Sequence, residues 1–203
     1  MDVTIIGTGN MARGIATRAV AGGHTVTLIG TDPDKAKQLA DEVGAKAGEG
    51  TIEGDVVVPA VWYGSVDRVL QQYGDQLDGK VVVDITNAVD PDTFEPLDIA
   101  AGSIAQEIAA KVPGAKVVKA FNTTFAGTLA DGEVAGNPLD VFIASDDEDA
   151  KQKVSGLAES SGLRPVDAGP LRRARELEAL GYLHMTLQDG LGTGYGSTVK
   201  VLG

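Results

Sequence analysis

No cysteine occurs among the 203 residues. That excludes disulfides, thiolate zinc sites and a cysteine nucleophile together. Histidine is nearly as scarce, with two residues, so a transition-metal site would have to rest on carboxylates, and no metal is expected. Long apolar runs are missing too. No stretch has the length a bilayer crossing needs, and no charged segment backed by an apolar one precedes the first strand. The chain is accordingly expected in the cytoplasm, without a membrane partner. Basic side chains are in deficit, 17 against 29 acidic ones, for a formal charge of −12. A polyanion would be repelled, so no nucleic-acid partner is expected. Any bound phosphate must be gripped by local backbone donors. Repeats and low-complexity tracts are absent, and no break in composition divides the chain. A single domain over residues 1–203 is expected, with a C-terminal helical segment from about residue 171.

What is present is globular in composition, 43% hydrophobic and 23% charged. Short β-branched runs alternate with helical patterns: Val3–Ile6, Thr25–Ile29, Asp55–Ala60, Lys80–Ile85, Lys116–Ala120, Leu139–Ala144 and, more weakly, Arg164–Val166. Such near-continuous Val and Ile suits strands buried on both faces. The expected fold is therefore α/β, a mostly parallel, doubly wound, Rossmann-like sheet with helices on both sides. Asp32-Pro33 reads as an N-cap and first helical position, opening a helix to about Glu42. Ser103 with Gln106 resembles a capping box. Apolar positions from Ala150 to Ala158 mark another helix, and a last one is expected from near Leu171, carrying Leu177, Leu180 and His184 on one stripe. The glycine-rich stretch 44–54 leaves room for only a weak strand at Ala45–Ala47. The tail beyond Gly190 allows one strand at Thr198–Leu202.

The chemistry concentrates where the first strand ends. Gly7, Gly9 and Ala12 fit the G-x-G-x-x-G/A spacing of a dinucleotide-binding turn. The first glycine makes the tight bend, and the second lets a pyrophosphate approach the backbone. The small third residue lets the helix pack on the strand. Thr8, Asn10 and Met11 complete the turn, whose N–H groups and helix dipole favour phosphate. At the end of the second strand, the acid that binds the ribose of NAD is replaced by Gly30. Thr31 offers a hydroxyl to a 2′-phosphate, which favours NADP (NADPH) over NAD. Asp32 pulls the other way, as a ribose contact or simply as the helix cap. Pro59 lies inside the third long run, where it is expected to end the strand early, and Trp62 and Tyr63 follow it, where ligands of open α/β sheets sit. Asn87 and Asn122 close the next two strands as further cofactor contacts or as turn formers. No catalytic dyad or triad is evident.

With these segments in hand, the chain resembles the NADPH-dependent coenzyme F-420 reductases. It does so through Ile6-Gly7-Thr8-Gly9-Asn10-Met11, Gly30-Thr31, Pro59 with Trp62, Asp84-Ile85-Thr86-Asn87, Lys119-Ala120-Phe121-Asn122-Thr123 and Asp167-Ala168-Gly169-Pro170-Leu171. The resemblance implies a dinucleotide along Gly7–Met11, Thr31 at the 2′-phosphate, and nicotinamide near Pro59, Trp62 and Asn122. It also implies hydride transfer from NADPH to a small-molecule redox acceptor such as a deazaflavin or flavin. Such transfer needs face-to-face placement rather than a nucleophile. Family members selective for NADP commonly follow the serine or threonine with arginine, and here that slot is Asp32. A non-catalytic NADP-binding sensor or scaffold is the alternative, and a homodimer is open to either. Imine reduction is disfavoured, because too few residues follow Leu171 for the helical dimerisation domain that the related pyrroline-5-carboxylate branch uses.

The remaining charged groups have simpler readings. His24 enters the second strand at the far end from any cofactor and is expected to be structural. His184 is expected in the core, or alternatively in the acceptor pocket or a dimer seam. Arg172 with Glu176 and Arg175 with Glu178 suit pairing along a helix, or the patch recognises an anionic acceptor. Asp146 to Asp149 read as a solvated helix start.

Overall fold

A strand covered on both faces needs an apolar residue at every position, and the runs above supply them. The structure is a computed structural model that describes residues 1–202. Its strands are β1 (Asp2–Ile6), β2 (Thr25–Ile29), β3 (Lys46–Ala47), β4 (Val56–Pro59), β5 (Val81–Asp84), β6 (Lys116–Lys119), β7 (Glu133–Val134), β8 (Asn137–Pro138), β9 (Asp140–Ser145) and β10 (Arg164–Gly169). β7 and β8 form a small hairpin. The others make one eight-stranded sheet in the order β10-β9-β6-β5-β4-β1-β2-β3. Every pairing in it is parallel except β6 with β9. Strand order reverses between β1 and β4, so this is the switch point of the sheet, where a crevice opens outside the carboxyl ends of the strands.

The helices are α1 (Asn10–Ala21), α2 (Pro33–Val43), α3 (Val66–Tyr73), α4 (Ile104–Lys111), α5 (Ala126–Asp131), α6 (Glu148–Ser160), α7 (Ala174–Thr186) and α8 (Gln188–Leu191). Alternate strand residues feed two cores. Val3, Ile5, Val58 and Val83 pack with Ile15 and Ala16 of α1 and Val154 and Leu157 of α6. Ile6, Val57 and Val82 pack with Val69 and Leu70 of α3, Ile104 and Ile108 of α4, and Ala174 of α7. Both faces of the sheet are thus covered, as expected. The caps fall where the sequence places them. Asp32 accepts from Asp34 N and Lys35 N, Ser103 from Gln106 N, and Asp147 from Ala150 N.

Two differences from the expectations, and one early strand end that Pro59 foretells, have local causes. The strand expected at Thr198–Leu202 does not form. Val201 N instead donates to Asp140 Oδ2 at 2.9 Å, and Lys200 Nζ reaches Asp140 Oδ1 at 2.9 Å and the Pro138 carbonyl at 2.8 Å. A side-chain carboxylate holds the tail where a ladder would have. The third run ends one residue early, because Pro59 brings no N–H. β4 stays paired with β1 to Ile6 opposite Pro59, while its pairing with β5 stops at Val57 opposite Val82. Lastly, α5 and the β7–β8 hairpin fill the connection from β6 to β9 and reverse the direction of the chain. No helix among the described residues is long and apolar enough to cross a membrane.

Candidate functional site

The tight bend after β1 is built from two glycines with different jobs. Gly7 has φ +130°, and its N–H donates to the Ile29 carbonyl at 2.7 Å. A Cβ there would overlap the carbonyl oxygen of Ala60. Gly9 is the N-cap of α1, has no side-chain cap behind it, and has no acid in the following turn. A Cβ on Gly9 would meet nothing within 4 Å. The start of α1 therefore carries no side-chain cap, and the backbone at Gly9 is open to close approach, an arrangement suited to a phosphate.

That space is a cavity of about 500 Å³ across the carboxyl ends of β2, β1, β4 and β5, within the range of small-molecule sites. Gly7, Thr8, Gly9, Asn10 and Met11 line it from the bend, and Gly30 and Thr31 from the end of β2. Trp62, Tyr63, Asn87 and Asn122 complete the set expected from sequence. Two expected residues stand off it. Pro59 is buried in β4 behind Ala60, and the Asp32 carboxylate is spent on the first N–H groups of α2. Gly30 has a packing reason to be glycine, since a Cβ would lie 2.8 Å from Thr8 Cγ2. Of the lining residues only Arg68 is positively charged. It belongs to α3, which the sequence reading did not mark.

The far wall is a polar knot. Asn122 Nδ2 donates to Asn87 Oδ1 at 2.8 Å and to the Leu177 carbonyl at 2.7 Å, and Asn87 Nδ2 donates to the Asn122 carbonyl at 2.9 Å. Asn122 Oδ1 is buried and has no partner. Its neighbour Phe121 is held at φ +61°, a left-handed backbone that is costly for a bulky residue and clusters at functional sites. Thr124 Oγ1 braces this turn by donating to the Phe121 carbonyl at 2.7 Å.

Beneath the knot lies a charge cluster that the sequence reading missed. Lys119 is fully buried, and its ammonium donates to Asp84 Oδ2 at 2.7 Å, Glu178 Oε1 at 2.9 Å and the Thr86 carbonyl. Asp84 Oδ1 accepts from Thr86 N and Oγ1, and the Glu178 carboxylate accepts from Ile104 N at the start of α4. Burial pushes the Glu178 carboxyl above the usual range, Lys119 opposes this, and Asp84 adds to it. The available signal was a lysine inside an apolar run, Val117-Val118-Lys119-Ala120. Glu178 faces this lysine and not Arg175. Arg173 and Arg175 instead lie 3.6 Å from Glu176.

The histidines sit elsewhere. His24 contacts the Met1 amine and Ser160 Oγ. His184 is buried, stacks on Phe125 at 4.3 Å, and meets the Thr123 carbonyl at 3.2 Å and Ser197 Oγ at 2.8 Å. Burial lowers its pKa, partly offset by the bond to Thr123. No cluster of metal-ligating side chains occurs among the described residues.

Comparison with known proteins gives a consistent picture. The family described as NADP oxidoreductase, coenzyme F420-dependent, matches residues 2–88. An F420-dependent NADP reductase of Methanothermobacter marburgensis is 30% identical over 202 residues, covering 89% of each chain. The metalloreductase STEAP3 of Rattus norvegicus is 34% identical over 182 residues, or 88% of this chain. The chain spans only 36% of that longer protein. Among solved structures, an Arthrobacter sp. FB24 protein provisionally assigned as an F420-dependent NADP reductase superposes with a TM-score of 0.88. It is 29% identical, over 99% of both chains.

Proposed function

Because this chain belongs to the coenzyme F420-dependent NADP reductase family, we propose that it is an NADP-dependent oxidoreductase exchanging hydride between NADPH and a deazaflavin-type acceptor. The observation that carries this reading is the uncapped start of α1. It faces, across open space at Gly9, a cavity at the switch point of the sheet. When bound, the dinucleotide supplies the hydride donor carbon, and the chemistry needs no nucleophile from the protein. No residue is assigned a catalytic role.

The work of the chain is to bind and orient. Backbone N–H groups at Gly9, Asn10 and Met11 take the diphosphate, with Gly7 and Thr8 shaping the bend. Thr31 beside Gly30 takes the 2′-phosphate, which selects NADP over NAD. Arg68 supplies the positive charge that the Asp32 slot does not. Asn122 Oδ1, buried and without a donor, accepts from the carboxamide of the nicotinamide, and Asn87 holds Asn122 in place. Trp62, 64% exposed at the mouth, and Tyr63 wall the acceptor side, with Pro59 setting where that wall begins. Residues 1–203 act as one dinucleotide-binding domain. A cytoplasmic homodimer is part of the proposal, supported by Leu183, Leu187 and Leu191, which expose one apolar stripe on α7 and α8.

Titration of the purified chain with NADPH and NADH, followed by mixing with F420, FMN or FAD and recording absorbance, tests the reading. NADPH is expected to bind more tightly than NADH, by about tenfold or more, and to be consumed with F420. Equal millimolar binding of both nucleotides overturns it. Tight NADPH binding without turnover on any acceptor favours a sensor instead.

A further inference from the structure

The polar knot and the charge cluster are one closed circuit. Lys119 Nζ donates to the Thr86 carbonyl. The next residue, Asn87, accepts at Oδ1 from Asn122 Nδ2. The other hydrogen of that amide goes to the Leu177 carbonyl. The residue after Leu177 is Glu178, whose Oε1 returns to Lys119 Nζ at 2.9 Å. The circuit joins the ends of β5 and β6 to α7. Helix α7 lies directly on it, since a Cβ on Gly181 would come within 2.9 Å of the Asn122 carbonyl oxygen.

Two counts show what the circuit does. Lys119 has three N–H donors, and all three have acceptors in Asp84, Thr86 and Glu178. The Asn122 amide has two N–H donors, and both are taken by oxygens. Rotating that amide by half a turn would set its oxygen against the Leu177 carbonyl and Asn87 Oδ1, oxygen on oxygen. The amide is therefore locked in one sense, its oxygen left as a buried, unsatisfied acceptor in a residue that lines the cavity. A lone asparagine there would have a free choice of donor or acceptor.

We propose that Lys119 and Glu178 are positioning residues, which touch no ligand but fix the Asn122 amide so that the cavity presents an acceptor to an N–H donor of the nicotinamide cofactor. The proposal rests on the functional reading above for the identity of that donor, but the lock itself does not. Breaking the circuit at the cluster frees the amide to turn. The site then loses a defined acceptor, although no cavity residue has changed.

The test pairs a nucleotide measurement with one that needs no nucleotide. In the wild-type chain, both side-chain amide protons of Asn122 should exchange with D2O about a hundredfold more slowly than those of exposed Asn10 and Asn137, read by ¹⁵N-edited NMR. Lys119→Met and Glu178→Leu should each remove that protection and weaken NADPH binding by about tenfold. Glu178→Gln, which keeps an acceptor at the same place, should restore both to within about threefold of wild type. Lys119→Met leaves two buried carboxylates without their cation and is the variant most exposed to misfolding. Glu178→Leu retains the Lys119–Asp84 pair and decides the matter if the first fails to fold. Folded Glu178→Leu with unchanged Asn122 exchange and unchanged NADPH affinity overturns the proposal. Wild-type protein that protects Asn122 but ignores NADPH overturns the functional reading while leaving the lock intact.

Discussion

At residue scale, Gly7 and Gly9 answer different demands with the same lack of a side chain. Gly7 is confined by its own fold, through a positive φ and the nearby carbonyl of Ala60. Gly9 is confined by nothing in the protein, so its openness matters only to what arrives from outside. Gly9→Val should therefore leave the melting temperature within about 2 °C of wild type while weakening NADPH binding by at least about tenfold, or about 1.4 kcal/mol. Gly7→Ala should lower the melting temperature instead, by a strained φ and a steric clash worth about 1–3 kcal/mol. Differential scanning fluorimetry with and without nucleotide separates the two. The bend was legible in the sequence because each glycine answers a local geometric need. Asn87 and Asn122 were legible as strand ends with polar tips. Asp32 was readable as a cap, and the structure shows that use. Lys119 and Glu178 were not, because they stand 59 residues apart and only tertiary packing puts one against the other.

At the scale of elements, Val and Ile content located six long strands to within a residue at either end, since burial on both faces leaves little freedom of composition. The weaker run Arg164–Val166 extends three residues further, to Gly169. What escaped was short or depended on partners far along the chain. Helix α5 has six residues, too few to show a period. The β7–β8 hairpin turns on Ala135 and Gly136, both at positive φ, without the Asn-Gly pair that marks such turns. The tail was read as a strand from its apolar residues, yet Asp140 of β9 captures it through Lys200 and Val201 N. Burial alone would raise the Asp140 carboxyl, but bonds from Arg164, Val201 N and Lys200 outweigh it and hold the pKa at about 2. A carboxyl lowered on folding stabilises the native state above its unfolded pKa of 3.8 and loses that contribution as pH falls toward 2. The wild-type chain should lose stability more steeply than Asp140→Asn between pH 4.5 and pH 2, and melting curves across that range check it. Parallel slopes would remove the clasp from the account.

At the scale of the molecule, a charge of −12 surrounds a cavity whose lining carries one cation, Arg68. Attraction for an anionic nucleotide is thus local and short-ranged. The C-terminal segment is tied back by His184, which bridges the turn after β6 to Ser197 of the tail, with Gln188 and Tyr195 beside it. Burial depresses the His184 pKa below 6.5. The neutral ring therefore favours the native state above that pH, and the contribution disappears as pH drops through the lower folded value. The melting temperature should fall between pH 7.5 and pH 5 by a larger margin in the wild type than in His184→Gln. A difference of zero would make the joint indifferent to protonation.

Pro59 has a consequence at this largest scale. No hydrogen bond has to be broken for the β4–β5 ladder to stop at Val57, because the imino acid has no proton to share across that seam. The early end of that ladder is written into the covalent chain and precedes any guest, so it draws nothing from the affinity of whatever enters the crevice between β1 and β4.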